Sequence, residues 1–288
     1  MEPCTIRETL LQAQSRLEQA GVPDPVTDAR WLLSSVLNMN PMSLLLSGDR
    51  PLDPQQTEDY RLLIQKRCTR VPLQYLLGTQ DFFGITLKVD SRVLIPRPET
   101  EQLCEKALEL LKTMSCPTPH VLDLCTGSGA IAITIKKLYP NAKVLASDIS
   151  AEALSLAREN ATLAEADVAF YEGDLFAALP KASAPFDLIL SNPPYISTAD
   201  YRALQPEVLH EPSIALEAGT DGLCFYRRIA EKAPDHLTPG GILLMELGFD
   251  EADAVRAMLA GNRFERITVL KDYEGLDRMI YGYLSAPL

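Results

Sequence analysis

Apolar residues recur at helical spacing from the start of the chain: Ile6, Leu10, Ala13, Leu17 and Ala20 share one face until Gly21 ends the run. The stretch TIRE at Thr5 to Glu8 has the capping-box pattern that opens a helix. Asp24-Pro25 opens a second helix, with Val26, Ala29, Leu33 and Val36 on one face. Asp53-Pro54 opens another that runs to about Cys68, since proline suits the first helical position. No strand pattern is present here, so residues 1–75 predict a small helical bundle. Residues 76–95 change character: DFFGITLKVD alternates at Phe83, Ile85, Leu87 and Val89, the period of a strand or hairpin, and the joint between domains is placed here. LIPRPETE (Leu94 to Glu101) then stiffens the approach to a helix near Thr100 to Leu111.

From residue 119 onward short apolar runs alternate with helix-length segments. The runs are HVLDL, KVLAS, VAFY, FDLIL, GILLMEL, RITVL and MIYGYL. That alternation predicts an α/β domain over residues 96–288, a parallel sheet with helices on both faces. Ligands of such sheets sit at the carboxyl ends of the strands.

Composition narrows the class. The apolar fraction of 47% and charged fraction of 23% suit a soluble globular protein. Net charge is −12, and the first 75 residues hold nine acids and eight bases, so the acidic excess lies further on. A nucleic-acid-binding surface needs a basic stripe, and no run of Lys and Arg supplies one. The six cysteines, Cys4, Cys68, Cys104, Cys116, Cys125 and Cys224, lack CxxC spacing, and with three histidines no zinc or other metal site is expected. Scattered thiols, an N-terminus with early Glu residues and no apolar block, and no segment of membrane-spanning length together predict a cytoplasmic protein without a membrane partner.

The strand ends carry the candidate chemistry. After the first comes DLCTGSGAIA (Asp123 to Ala132), where Gly127 and Gly129 let backbone approach a ligand and the next helix offers free N–H groups. Gly127, Gly129 and Ala132 also fit the GxGxxA dinucleotide fingerprint, and a tight strand-to-helix turn favours the same residues. Asp148, at the tip of the second, can accept from both hydroxyls of a ribose, or cap a helix. Asp174 and Leu175 end the third: the leucine can lie against an adenine ring with Asp174 near its amino group, or the pair can close a loop.

The fourth strand ends in SNPPY. A nitrogen conjugated to a carbonyl or an aromatic ring is a poor nucleophile, and two aimed acceptors can grip its N–H bonds and help its lone pair leave conjugation. Asn192 offers a side-chain oxygen, and Pro193 a carbonyl held by the stiffness of Pro194. Tyr195 offers a flat face. Turn residues alone would also stop a strand, but a stop does not require Asn, Pro, Pro and Tyr together at this tip.

DLCTGSGAIA, Asp148 and NPPY together resemble the seven-stranded S-adenosylmethionine-dependent methyltransferases that act on planar nitrogens. RVPLQYLLGTQDFFG, VLIPRPETE, HEPSIAL with DGL (His210 to Leu223) and GLDR (Gly275 to Arg278) narrow the resemblance to the HemK/PrmC family of release factor glutamine-N5 methyltransferases, from about residue 70 onward. The resemblance implies a Rossmann-like fold, S-adenosyl-L-methionine as cofactor, and as substrate the glutamine of a Gly-Gly-Gln loop in a peptide chain release factor. Cys125, Thr126, Gly127, Ser128, Gly129, Asp148 and Asn192 would bind cofactor, with Leu175 near the adenine. Asn192, Pro193, Pro194 and Tyr195 would hold the glutamine amide, with Asn192 and Pro193 catalytic, and the helical bundle would engage the release factor. Cys125 stands where relatives usually have glycine, and Leu175 where some have an aromatic. A thiol fits unless the backbone there needs φ > 0.

The implied reaction is in-line displacement at an already activated methyl, without metal or covalent nucleophile. Arg97 would either approach the cofactor carboxylate or pair with Glu99 or Glu101, the latter being preferred. His210 and Glu211 read as structural, and Glu246 is ambiguous. The rivals are a nucleic-acid adenine-N6 methyltransferase, opposed by the acidic charge; a nicotinamide-dependent dehydrogenase, which leaves NPPY without a purpose; a binding protein that has lost catalysis; and a ribosomal-protein glutamine methyltransferase. Nothing suggests a symmetric interface, so a monomer is expected.

Overall fold

The structure, a computed structural model, describes residues 5–181 and 183–286; Cys4 lies outside them. The described residues form two units, one running to Thr79 and including Gln205–His210, the other comprising Gln80–Leu204 and the chain from Glu211 onward.

The first unit is helical. Helix α1 (Ile6–Gln19) opens with the expected capping box: the Thr5 hydroxyl accepts from the Glu8 N–H, and the Glu8 carboxylate accepts from the Thr5 N–H at 2.9 Å. Helix α2 (Pro25–Leu37) starts on its proline, with no side-chain bond from Asp24. A short α3 (Pro41–Leu46), too brief to show periodicity, is capped by Asn40. Helix α4 (Pro54–Cys68) has a second capping box, Asp53 with Gln56, and α5 (Leu73–Leu77) ends at Gly78, whose φ of 75° suits glycine. Their apolar faces meet in a core of Ile6, Leu17, Leu32, Leu33, Leu44 and Ile64. Each such side chain contributes roughly 1.5–3 kcal/mol when fully buried.

The segment 205–210 joins this unit through charge. Glu207 accepts two bonds from Arg70, at 2.6 and 2.5 Å, and lies 3.0 Å from Arg67. The buried Arg67 also donates to Asp28 at 2.6 Å. A buried guanidinium requires such partners, because losing one leaves an uncompensated charge. His210 adds a contact of 3.2 Å between Nε2 and the Thr69 carbonyl.

Strands β1 (Thr79–Phe82) and β2 (Ile85–Lys88) make a hairpin turned by Phe83 and Gly84, both at positive φ (52° and 75°). Then follow α6 (Pro98–Thr113), β3 (His120–Leu124), α7 (Ala130–Leu138), β4 (Lys143–Asp148), α8 (Ala151–Leu163), β5 (Val168–Glu172), β6 (Phe186–Ser191) and the short α9 (Thr198–Tyr201). The chain closes with α10 (Cys224–Lys232), β7 (Leu237–Glu246), α11 (Ala252–Gly261), β8 (Phe264–Lys271) and β9 (Asp277–Leu284). The sheet order is β5-β4-β3-β6-β7-β9-β8.

Strands β3 to β7 pair in parallel, as the alternation of elements predicts. The all-parallel expectation fails at the end: β9 runs antiparallel to both β7 and β8. Residues 272–276 between β8 and β9 are too few for a crossover helix, so the chain must turn back. Both faces are covered, which explains the unbroken apolar run FDLIL. Leu188 and Leu190 pack with Leu103 of α6 and Ile131 of α7, while Ile189 packs with Tyr226 of α10 and Val255 of α11. Order reverses beside β3, so the carboxyl ends of β3, β4, β5 and β6 converge at a switch point. Among the described residues no helix is long and apolar enough to cross a membrane.

Candidate active site

The turn after β3 is shaped by three positive φ values, at Cys125 (59°), Gly127 (54°) and Gly129 (83°). Cys125 therefore sits where glycine would be relaxed and a side chain is strained, at roughly 1–2 kcal/mol. Its thiol is pushed above the usual thiol range, first by burial and then by the Asp148 and Asp123 carboxylates. It is a wall rather than a nucleophile. A Cβ on Gly129 would meet Ile133 Cδ1 at 3.0 Å and Ala157 Cβ at 3.3 Å, so only glycine lets the turn pack on α7 and α8.

Asp123, fully buried, ties the turn down. Its Oδ2 accepts from the Thr126 hydroxyl at 2.5 Å and the Ala132 N–H at 3.2 Å, and burial raises its pKa to about 7. The Ser128 carbonyl accepts from Asn160 Nδ2 at 3.0 Å.

Asp148 closes β4. Oδ2 accepts from the Gly127 N–H at 2.8 Å and Oδ1 from the Ser150 N–H at 2.9 Å. Burial raises its pKa against the pull of these bonds. A carboxylate has about four lone-pair sites, so each oxygen retains capacity for one hydroxyl.

These groups line one cleft with about 970 Å³ of free space, open solvent at its mouth included. Cys125, Gly127, Asp148, Leu175, Asn192 and Pro194 are brought together on its walls. Thr126, Ser128, Gly129, Pro193 and Tyr195 do not line it; Thr126 and Ser128 are turned into the fold. Tyr195 instead walls an adjoining cleft with Leu223, Phe249 and Arg278. NPPY thus separates two clefts. The chain beyond it is clamped: Ile196 N–H donates to the Leu216 carbonyl at 2.9 Å, and Ala218 N–H to the Ile196 carbonyl at 2.8 Å. Gly222 of DGL passes so close that a Cβ would lie 2.5 Å from the Tyr195 carbonyl oxygen.

Other sequence expectations resolve differently. Arg97 pairs with neither Glu99 nor Glu101 and does not line the cleft; its guanidinium meets buried Glu211, whose other oxygen accepts from the Ile95 N–H at 2.9 Å. Glu101 accepts from the Phe83 N–H at 2.7 Å. Asp174 lines the cleft but is held by Arg228 at 2.6 Å. The apolar walls Ile149, Ile214 and Phe225 were not singled out from the sequence, because nothing in a lone Ile or Phe marks a ligand wall. Thr100 was missed too. Its hydroxyl accepts from Asn192 Nδ2 at 3.1 Å and donates to buried Glu246 at 2.7 Å, a link between three separate motifs.

A seven-stranded sheet of this order, with a glycine turn, an acid at the tip of β4 and NPPY at the tip of β6, defines an S-adenosylmethionine-dependent methyltransferase of the Rossmann-like class. The fold is similar to a crystal structure of a methyltransferase from Pyrococcus furiosus, with a TM-score of 0.55 at 20% identity over 77% of this chain and 100% of that one. The PrmC N-terminal domain matches residues 8–78 and the methyltransferase small domain residues 106–222. A release factor glutamine methyltransferase of Deinococcus radiodurans is 46% identical over 96% of this chain and 97% of its own. One from Geobacter sulfurreducens is 42% identical over 98% and 97%. The chain belongs to the release factor glutamine methyltransferase family.

Proposed function

We infer that this chain transfers a methyl group from S-adenosyl-L-methionine to the side-chain amide nitrogen of the glutamine in the Gly-Gly-Gln loop of a peptide chain release factor. One observation carries the reading: Asn192 and Pro194 wall the cleft shared with Asp148 and Leu175, while Tyr195 walls the next. The near-full-length likeness to relatives of that name supports the substrate class.

The first cleft suits the cofactor chemically. Asp148 has lone pairs free for a vicinal diol, and Ile149, Leu175 and Phe225 give apolar surface for a flat base. Ser147 Oγ, buried on the same wall, has no partner within the described chain. The bound cofactor supplies a methyl group already activated on a sulfonium.

The chain's own residues then work on the acceptor. With Asn192 Nδ2 donating to Thr100, the side chain is turned so that its acceptor, Oδ1, faces a ligand, and it accepts one amide N–H of the glutamine. The Pro193 carbonyl, stiffened by Pro194, accepts the other. The nitrogen is thereby fixed between the clefts, with its lone pair turned out of conjugation toward the first, while the amide plane lies on Tyr195. Such preorganised acceptors contribute roughly 3 kcal/mol each at the transition state. NPPY holds no strong base, so the proton departs to solvent after transfer. The first unit engages the release factor, and the protein acts as a cytoplasmic monomer without bound nucleic acid.

Incubation with methyl-labelled cofactor and, separately, a release factor, ribosomal proteins and DNA tests this. Label on the release factor, mapped to its Gly-Gly-Gln glutamine, is expected. Label on ribosomal protein or DNA alone would reject the assignment.

A further inference from the structure

Asparagine is an ambiguous grip. A half-turn about its last torsion exchanges an acceptor oxygen for a donor NH₂, and the flipped side chain would oppose the N–H of a glutamine amide rather than accept it. The structure contains a device that removes this ambiguity. Strands β6 and β7 are parallel with Ser191 opposite Met245, so the next residues, Asn192 just beyond β6 and Glu246 at the last position of β7, lie side by side. The first turn of α6 brings Thr100 to both. Its N–H donates to the Arg97 carbonyl at 3.1 Å, and its side chain is buried. Asn192 Nδ2 donates to Thr100 Oγ1 at 3.1 Å, and Thr100 Oγ1 donates to Glu246 Oε2 at 2.7 Å.

The direction of this chain follows from proton counting. A threonine hydroxyl has one proton, and an ionised carboxylate can only accept. Glu246, 1% exposed, therefore takes the Thr100 proton and leaves that oxygen as an acceptor for the Asn192 amide. A flip of Asn192 would set its oxygen against the Thr100 oxygen. Redirecting the hydroxyl proton to relieve that would deprive a buried carboxylate of its donor, a loss larger than that of an ordinary hydrogen bond. Glu246 is itself anchored at the backbone: its carbonyl accepts from the Tyr226 hydroxyl at 3.0 Å, and it lies opposite Met279 of β9.

We propose that Thr100 and Glu246 are positioning residues for methyl transfer: the Glu246 carboxylate fixes the direction of the Thr100 hydroxyl, which holds the Asn192 amide with its nitrogen inward and its oxygen presented to the acceptor nitrogen. The proposal deepens the function inferred above and rests on it. It gives a purpose to the threonine of LIPRPETE and to the acid at the tip of GILLMEL, and it requires no contact of either with substrate.

The test is steady-state methylation of a release factor by the full-length protein, with cofactor affinity measured by calorimetry. Glu246→Gln keeps the shape but can donate, so the direction is lost; Thr100→Val removes the hydroxyl, and Thr100→Ser keeps it. Glu246→Gln and Thr100→Val should lower kcat about 10- to 100-fold with cofactor affinity within about twofold of wild type, and Thr100→Ser should restore most of the rate. In an Asn192→Ala background, Glu246→Gln should cost less than about twofold more, because the residue it orients is gone. An equal loss in both backgrounds, or wild-type kcat in Glu246→Gln, would overturn the relay. Should Glu246→Gln fail to bind cofactor, the threonine pair decides: equal rates in the Val and Ser variants refute the proposal. A wild-type enzyme that leaves the release factor unlabelled, or an Asn192→Ala enzyme of undiminished rate, would instead overturn the function on which the relay rests.

Discussion

Replacing Asp148 by asparagine perturbs the cofactor cleft with almost no change of shape. Oδ2 accepts from Gly127 N–H and Oδ1 from Ser150 N–H, so each oxygen brings one fixed bond and has room for one hydroxyl. In Asp148→Asn one oxygen becomes NH₂. Whichever way it turns, it opposes a backbone N–H and can no longer accept from a ribose hydroxyl. The lost hydroxyl-to-carboxylate bond is worth about 1.5–3 kcal/mol, which corresponds to a Kd for S-adenosylmethionine raised roughly 10- to 150-fold. The loss of the fixed bond appears separately, as a lower Tm of the unliganded protein. Burial raises the pKa of Asp148 against the pull of its backbone bonds, so the two proteins are compared at one fixed pH well above the ordinary carboxylate range. Isothermal titration with cofactor reads the effect directly. A folded Asp148→Asn protein with a Kd within about threefold of wild type would refute the assignment of this carboxylate to the ribose.

Four further outcomes follow from the geometry. Cys125→Gly removes strain at φ 59° but frees the unfolded chain, so stability should stay level or rise by up to about 1 kcal/mol in urea unfolding, and a loss beyond that would show that thiol packing dominates. Asn192→Ala should lower kcat by roughly 10²–10³-fold while cofactor affinity is kept, as when an oxyanion-type donor or acceptor is removed; near-normal turnover would eliminate the grip. Burial raises the Glu246 pKa to about 7, with Arg278 and Arg97 opposing and Glu99 adding to the shift, and with Tyr195, Tyr226 and Cys104 as the other titratable neighbours. Below that pH the acid gains a proton and can donate to Thr100, so kcat should fall as pH drops through about 7, and Glu246→Gln should flatten this limb. The sign for stability is opposite. A carboxyl whose folded pKa exceeds its unfolded one binds its proton more tightly when folded, so Glu246, with Asp123 and Glu251 also near 7, stabilises the fold as pH falls from about 7 toward 4.5. A Tm that rises from pH 6 to 8 would contradict this.

Much of the architecture was legible because its determinants are local. Thr5 with Glu8, and Asp53 with Gln56, specify helix starts within four residues, and both form as capping boxes. Seven apolar runs mark seven strands, most plainly at β3, β6 and β7, where burial on both faces leaves little room for polar residues, while the edge strands β5 and β8 are only partly covered. The tips of those strands name Asp148 and Asn192, since chemistry in this fold gathers where the strands end. What escaped was long-range. Arg70 and Glu207 are 137 positions apart and Asn192 and Thr100 92, and no periodicity encodes such pairings. Arg97 had acids two and four positions away, yet met Glu211, while Glu101 is taken up by the Phe83 N–H. The antiparallel end of the sheet was decided by the short 272–276 connection rather than by the strands themselves. The conformation of Cys125 was posed by the sequence as a condition on φ, and only the folded backbone supplies its value.

The most direct measurement is a structure of the enzyme bound to cofactor product and a peptide bearing the acceptor glutamine. The glutamine nitrogen should lie within about 3.2 Å of both Asn192 Oδ1 and the Pro193 carbonyl oxygen, with Asn192 Nδ2 still on Thr100. A nitrogen seated elsewhere, with those two oxygens turned away from it, would contradict the account at its root.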